Sequence, residues 1–121
     1  MTNPYSRDLN GVIARAGKRI GMKLRTGLVY VCVEGPRYET SAEIRMFRTM
    51  GGDVVGMTGV PEVVLANELG MRYSSIAIAT NWAAGRQEKV SHQEVLDLMQ
   101  RMGASVKTLV LETVNLLAEE E

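Results

Sequence analysis

Histidine and cysteine occur once each in this 121-residue chain, as His92 and Cys32. A single thiol cannot form an internal disulfide, and with no CxxC, no HExxH and no cluster of histidines a zinc site has no support. The patterns GxGxxG and GxxxxGK[ST] are absent, which removes the usual dinucleotide and P-loop readings. Without a serine elbow or a Cys–His constellation, covalent catalysis is disfavoured as well. Charge of one sign is also missing, since 14 basic residues face 14 acidic ones. A balanced chain has no long-range field to gather nucleic acid or anionic lipid, so neither is an expected partner. No apolar run is long enough to cross a bilayer, and MTNPYSRDLN lacks a basic start followed by an apolar core. Neither a transmembrane segment nor a signal peptide is expected. Cys32, inside a predicted strand, reads as a small buried hydrophobe in a reducing, cytoplasmic setting.

What is present is a chain 45% hydrophobic and 23% charged, a composition that fits one compact domain. SRDLNGVIARAGKRIGM predicts an amphipathic helix capped by Ser6, with Leu9, Ile13, Ala16 and Ile20 on one stripe. LVYVCV predicts a buried strand, SAEIRMFRTM a helix and DVVGM a second short strand. TGVPEVVLANELG predicts a helix with Pro61 near its start and Gly70 as its stop, and SSIAIAT a third strand. The chain from Ser91 onward reads as one long helix, or two broken near Gly103, ending in a solvated acidic tail, Glu119 to Glu121. The alternation predicts an α/β layer pattern with parallel strands. Three strands are few for a self-sufficient sheet, and an exposed sheet edge must be paired or covered, so a larger unit or assembly with a partner is expected.

Parallel strands bring their carboxyl ends to one edge, where ligands of open α/β sheets bind. Three loops should meet there: Arg37, Tyr38 and Glu39 after strand one; Met57, Thr58 and Gly59 after strand two; Asn81 and Trp82 of TNWAAG after strand three. A tyrosine face, a carboxylate accepting from a ring N–H and a carboxamide that donates and accepts would suit a flat heterocycle carrying a small sugar. Thr58 adds a hydroxyl and helix-start N–H groups for an anion.

Each residue has a plainer reading. Glu39 could favour the start of the next helix, Tyr38 could pack, Met57 could fill core, Thr58 could cap, and Asn81 could form a turn. Arg37 could be an ion-pair residue, and His92, near the start of the final helix, could face solvent. Convergence carries the argument rather than any single residue. Within the opening of the second helix, Glu43 is placed to answer Thr40 in a reciprocal capping pattern.

The blocks NPYSRDL, YVCVEGPRYETSAEIRMFRTMGGDVVGMTGVPEVVLANELG and SIAIATNWAAG resemble the carboxyl-terminal half of the trimeric purine nucleoside phosphorylase and 5'-methylthioadenosine phosphorylase family. The resemblance implies a partial three-layer α/β/α nucleoside phosphorylase fold with a mostly parallel sheet, its amino-terminal strands missing. Residues 1–121 would then be the carboxyl-terminal portion of a single domain. It implies splitting of a purine nucleoside by inorganic phosphate, a co-substrate, to free base and ribose 1-phosphate, with no organic cofactor or metal. By matching position, Tyr38 flanks the base, Glu39 anchors the purine ring, Met57 packs under the ribose and Thr58 touches phosphate. Asn81 hydrogen-bonds near N7 and the 6-oxo group, where charge grows on the leaving base. Family members that act on 6-aminopurines have Asp at this place, so Asn81 marks a 6-oxopurine preference. His92, where enzymes taking a 5'-methylthio group carry a small apolar residue, would hydrogen-bond a 5'-hydroxyl.

The expected substrates are therefore inosine and guanosine, with 5'-methylthioinosine or 5'-methylthioadenosine as the alternative. The family's glycine-rich phosphate loop and its phosphate-binding histidine and arginine have no counterpart in this sequence. The chain is thus expected to be inactive alone and to work as a homo-oligomer, a trimer or hexamer, or with an amino-terminal half. A non-catalytic purine-binding or structural remnant is the competing reading.

Overall fold

A serine followed by an acidic first turn and a basic last turn sets the first helix, because both ends then complement the helix dipole. In the computed structural model, which describes residues 2–86 and 92–120, α1 spans Arg7–Arg19. The Ser6 hydroxyl accepts from the Leu9 N–H at 3.2 Å, with Asp8 in the first turn and Lys18 and Arg19 in the last. The strand β1, Tyr30–Cys32, leads through a loop to α2, Ser41–Thr49. The strand β2, Val54–Gly56, then leads to α3, Gly59–Glu68, and the long helix α4 covers His92–Glu119. Gly103 does not break α4, so the one-helix alternative holds.

β1 and β2 pair in parallel with Tyr30 opposite Val54, Val31 opposite Val55 and Cys32 opposite Gly56. Asp53 fixes the start of this register. Its carboxylate accepts from the Val29 N–H at 2.8 Å while its own N–H donates to the Val29 carbonyl at 2.9 Å. The result is a mostly helical α/β fold with a small, open parallel sheet.

Two expectations about the sheet are corrected. SSIAIAT forms no strand among the described residues, because a strand exists only with a ladder partner and the sheet has two members. The predicted strands are half-buried rather than buried on both faces, and Cys32 is likewise half-buried. Residues 76–79, expected to be fully buried, are largely exposed, since an apolar pattern does not by itself supply the neighbouring strand that would cover it.

The core lies between α1 and α4, where Val12, Ala16, Leu109 and Leu116 are buried and Ile13, Ile20, Met22, Leu24 and Leu117 pack against them. The predicted stripe caught Ala16 and its flanks but passed over Val12. Across the rim of this pair, Arg19 bonds Glu112 at 3.2 Å and Glu119 at 3.0 Å, and Arg15 bonds Glu120. The acidic tail is therefore held by α1 rather than simply solvated, at least through Glu120. Glu121 lies outside the described residues. Asn67 donates to the Pro4 carbonyl at 2.9 Å and the Ser6 N–H to the Tyr73 carbonyl at 2.8 Å, which pins the first residues beside α3.

Candidate functional site

The loop after β1 is built around Gly35, which takes φ +69° and is followed by a cis peptide to Pro36. Only glycine suits that dihedral, and the space a Cβ would fill is already taken. A Cβ there would lie 2.9 Å from the Met57 sulfur. The loop after β1 is thus seated directly on the first residue after β2. The third loop meets the first in the same manner. Gly85, at φ +81°, would place a Cβ 2.7 Å from the Ser41 hydroxyl at the start of α2. All three predicted loops are therefore linked by two close approaches of a glycine backbone to a side chain, Gly35 to Met57 and Gly85 to Ser41.

A cleft of about 270 Å³ opens beside this junction, lined by Val33, Glu34, Gly35, Arg37, Glu39 and Glu43. Glu39 lines it; Tyr38, Thr58 and Asn81 do not. Tyr38 is 80% exposed, so its ring does not pack into the core of this chain. Thr58 is the N-cap residue of α3 by position, yet its hydroxyl makes no capping hydrogen bond. Asn81 is exposed; its amide N–H donates to the Trp82 carbonyl at 3.0 Å and its oxygen accepts from the Thr80 hydroxyl at 2.7 Å. Those two bonds orient the carboxamide, a feature the sequence reading missed. His92 opens α4, and its side chain lies outside the described residues.

The dominant electrostatic feature is the Arg37–Glu43 pair. The guanidinium donates through both terminal nitrogens, Nη1 to Oε2 at 2.9 Å and Nη2 to Oε1 at 2.7 Å. Glu43 Oε2 also accepts from the Thr40 N–H at 2.7 Å and its hydroxyl at 2.9 Å, while Thr40 Oγ1 accepts from the Glu43 N–H. The reciprocal capping pattern anticipated from TSAE is present in full. These donors, the Arg37 guanidinium first and Thr40 second, hold the Glu43 carboxyl down at about 2. Arg37 is raised in turn, chiefly by its bonds to Glu43. The ion-pair reading of Arg37 is the correct one; its partner could have been sought six residues on, one turn into the helix that follows the loop.

Tyr30 of β1 lies over Gly56 and Gly59, each of which would drive a Cβ into that ring. Tyr5 and Tyr73 meet nearby at a tilt of 36° with centroids 6.0 Å apart, and the Tyr73 hydroxyl donates to Glu62 at 2.5 Å. That bond, more than its partial burial, pushes the Tyr73 phenol up to about 12. Among the described residues no group of three His, Cys, Asp or Glu side chains could hold a metal ion, and no helix is long and apolar enough to cross a membrane.

The chain is 49% identical over 114 residues to a protein of Moorella thermoacetica named "Probable 6-oxopurine nucleoside phosphorylase", covering 93% of this chain and 44% of that one. It is 44% identical over 111 residues to a protein of Methanopyrus kandleri named "Probable S-methyl-5'-thioinosine phosphorylase", covering 91% of this chain and 43% of that one. The solved structure of methylthioadenosine phosphorylase from Schistosoma mansoni in complex with adenine superposes with a TM-score of 0.90 at 28% identity, covering 100% of this chain and 49% of that one. The chain thus spans less than half the length of these relatives. Residues 1–115 match the model of the phosphorylase superfamily, and the chain belongs to that family.

Proposed function

We propose that this chain is the carboxyl-terminal, base-recognising portion of a purine nucleoside phosphorylase acting on 6-oxopurine nucleosides such as inosine and guanosine. The observation that carries the reading is the seating of three loops on one another through Gly35 on Met57 and Gly85 on Ser41, with Glu39 lining the cleft beside them. In that site Tyr38 flanks the purine, Glu39 accepts from a ring N–H, Met57 supports the ribose and His92 meets the 5'-hydroxyl. Thr58, whose hydroxyl is not spent on its helix, meets phosphate with the N–H groups of the first turn of α3.

Phosphorolysis forms a bond from a phosphate oxygen to C1' and breaks the glycosidic bond, whose electron pair passes to the base. Asn81 hydrogen-bonds near N7 and the 6-oxo group, where that negative charge develops. An interaction that strengthens as the bond breaks lowers the barrier rather than merely tightening binding. The similarity to a protein named for 6-oxopurine nucleosides supports this choice, and the similarity to one named for S-methyl-5'-thioinosine keeps the methylthio nucleoside as the second reading.

The chain alone is inactive in this account, because phosphate carries a charge that Thr58 and backbone donors do not neutralise, and Arg37 is committed to Glu43. It works with an amino-terminal portion bearing a glycine-rich loop and a cationic phosphate ligand, in a trimeric or hexameric assembly. The test is phosphate-dependent cleavage of inosine, guanosine, adenosine and methylthioadenosine by the purified chain, alone and after mixing with the amino-terminal portion of a family member. Cleavage of the 6-oxopurines only in the mixture is expected. A co-eluting mixture with no turnover of any nucleoside would favour a non-catalytic purine-binding or structural remnant.

A further inference from the structure

We propose that the Arg37–Glu43 ion pair is a positioning device for Glu39, clamping the backbone on both sides of that carboxylate and so setting how a purine ring N–H is read. The inference rests on the base-recognition reading given above. Glu39 has Tyr38 and Thr40 as chain neighbours, and the same ion pair holds both. Arg37 Nη1 donates to the Tyr38 carbonyl at 3.1 Å, and Glu43 Oε2 accepts from the Thr40 N–H at 2.7 Å. The two halves of the clamp are locked by the two-pronged guanidinium–carboxylate contact at 2.7 and 2.9 Å. Arg37, Glu39 and Glu43 line one cleft, so the clamp forms the wall from which Glu39 projects.

Stability alone does not account for this arrangement. The side chains of the pair are 67% and 31% exposed, and pairs open to solvent contribute little to folding. Its geometry is nonetheless the directional kind, since a planar fork fixes orientation as well as distance. A recognition carboxylate displaced by more than about 0.5 Å has its bond weakened, so a clamp that adds little to folding can still decide binding. Glu43 is therefore a positioning residue four residues on from Glu39, and Arg37 serves the base side of the site rather than phosphate.

The test uses the whole chain and two ligands, hypoxanthine and 1-methylhypoxanthine, whose methyl group removes a ring N–H. Calorimetric affinities are compared in wild type, Arg37→Met, Arg37→Lys and Glu43→Gln, with the 15N order parameter of Glu39 measured in each. Arg37→Met leaves the Thr40–Glu43 capping bonds in place, so the fold is kept while the clamp is opened. Wild type should favour hypoxanthine by about tenfold or more, the scale of one hydrogen bond to a charged acceptor. Arg37→Met should reduce that preference to about unity, and Arg37→Lys should not restore it, because one ammonium cannot replace the fork. The Glu39 order parameter should fall from about 0.85 toward about 0.6. An unchanged preference and an unchanged order parameter in Arg37→Met would overturn the proposal. If the wild-type chain binds neither base, the base-recognition reading fails by itself, and the order parameter of Glu39 still decides whether the clamp operates.

Discussion

Glu43 holds its charge far into acid because four hydrogen bonds converge on its carboxylate. A carboxyl lowered from 4.5 to about 2 on folding adds stability, kept small by solvent screening, that is fully present above the upper value and is lost as pH falls through the lower one. The melting temperatures of wild type and Glu43→Gln should accordingly differ most above pH 4.5 and converge as pH falls toward 2. A gap that persists unchanged across that window would show that the Glu43 charge contributes nothing. Thr40→Ala, which removes the capping hydroxyl of α2, should cost about 1 kcal/mol in denaturant unfolding. Tyr38→Ala should leave unfolding nearly unchanged, since the ring is exposed, while weakening purine binding. In an assembled enzyme, Asn81→Asp should shift relative kcat/KM toward adenosine; an unchanged ratio to inosine would count against the role given to Asn81. The capping pattern was legible because it follows from spacing within one turn. The bond from Thr80 to Asn81 was not, because nothing in the residue types says which way a carboxamide turns.

At the scale of elements, the α1 and α4 pair carries the packing. Leu109 is fully buried between them, and Leu109→Ala should cost about 2–5 kcal/mol by transfer and cavity together, read from urea unfolding. Gly85→Ala should be costly for a different reason, combining a left-handed backbone with a clash on Ser41. The helices were readable because their periodicity, caps and stop glycines are local. β1 and β2 were readable from their branched runs, and their predicted parallel pairing holds. SSIAIAT failed as a strand for a reason that lies outside its own residues, namely the need for a partner on which to form a ladder. The tie of Glu119 and Glu120 to Arg19 and Arg15 was hidden for the same kind of reason, since it joins residues 100 or more positions apart.

The whole molecule leaves large apolar side chains in solvent, among them Met50 at 78% and Leu69 at 76% exposed, with Leu65 and Met71 on and just beyond α3. Apolar surface of this kind, next to a two-stranded sheet with open edges, fits a chain that spans less than half of its relatives. The loop edge of such a chain can keep its own geometry, because Gly35 on Met57 and Gly85 on Ser41 join loops contributed by this chain itself. The claim that this edge reads a 6-oxopurine is tested most directly by calorimetric titration of the purified chain with hypoxanthine, in wild type and Glu39→Ala. The account predicts one saturable site that Glu39→Ala weakens by about tenfold or more, as expected for the loss of a charge-assisted hydrogen bond. Binding that is indifferent to Glu39→Ala, or no binding by a chain shown to be folded, would contradict it.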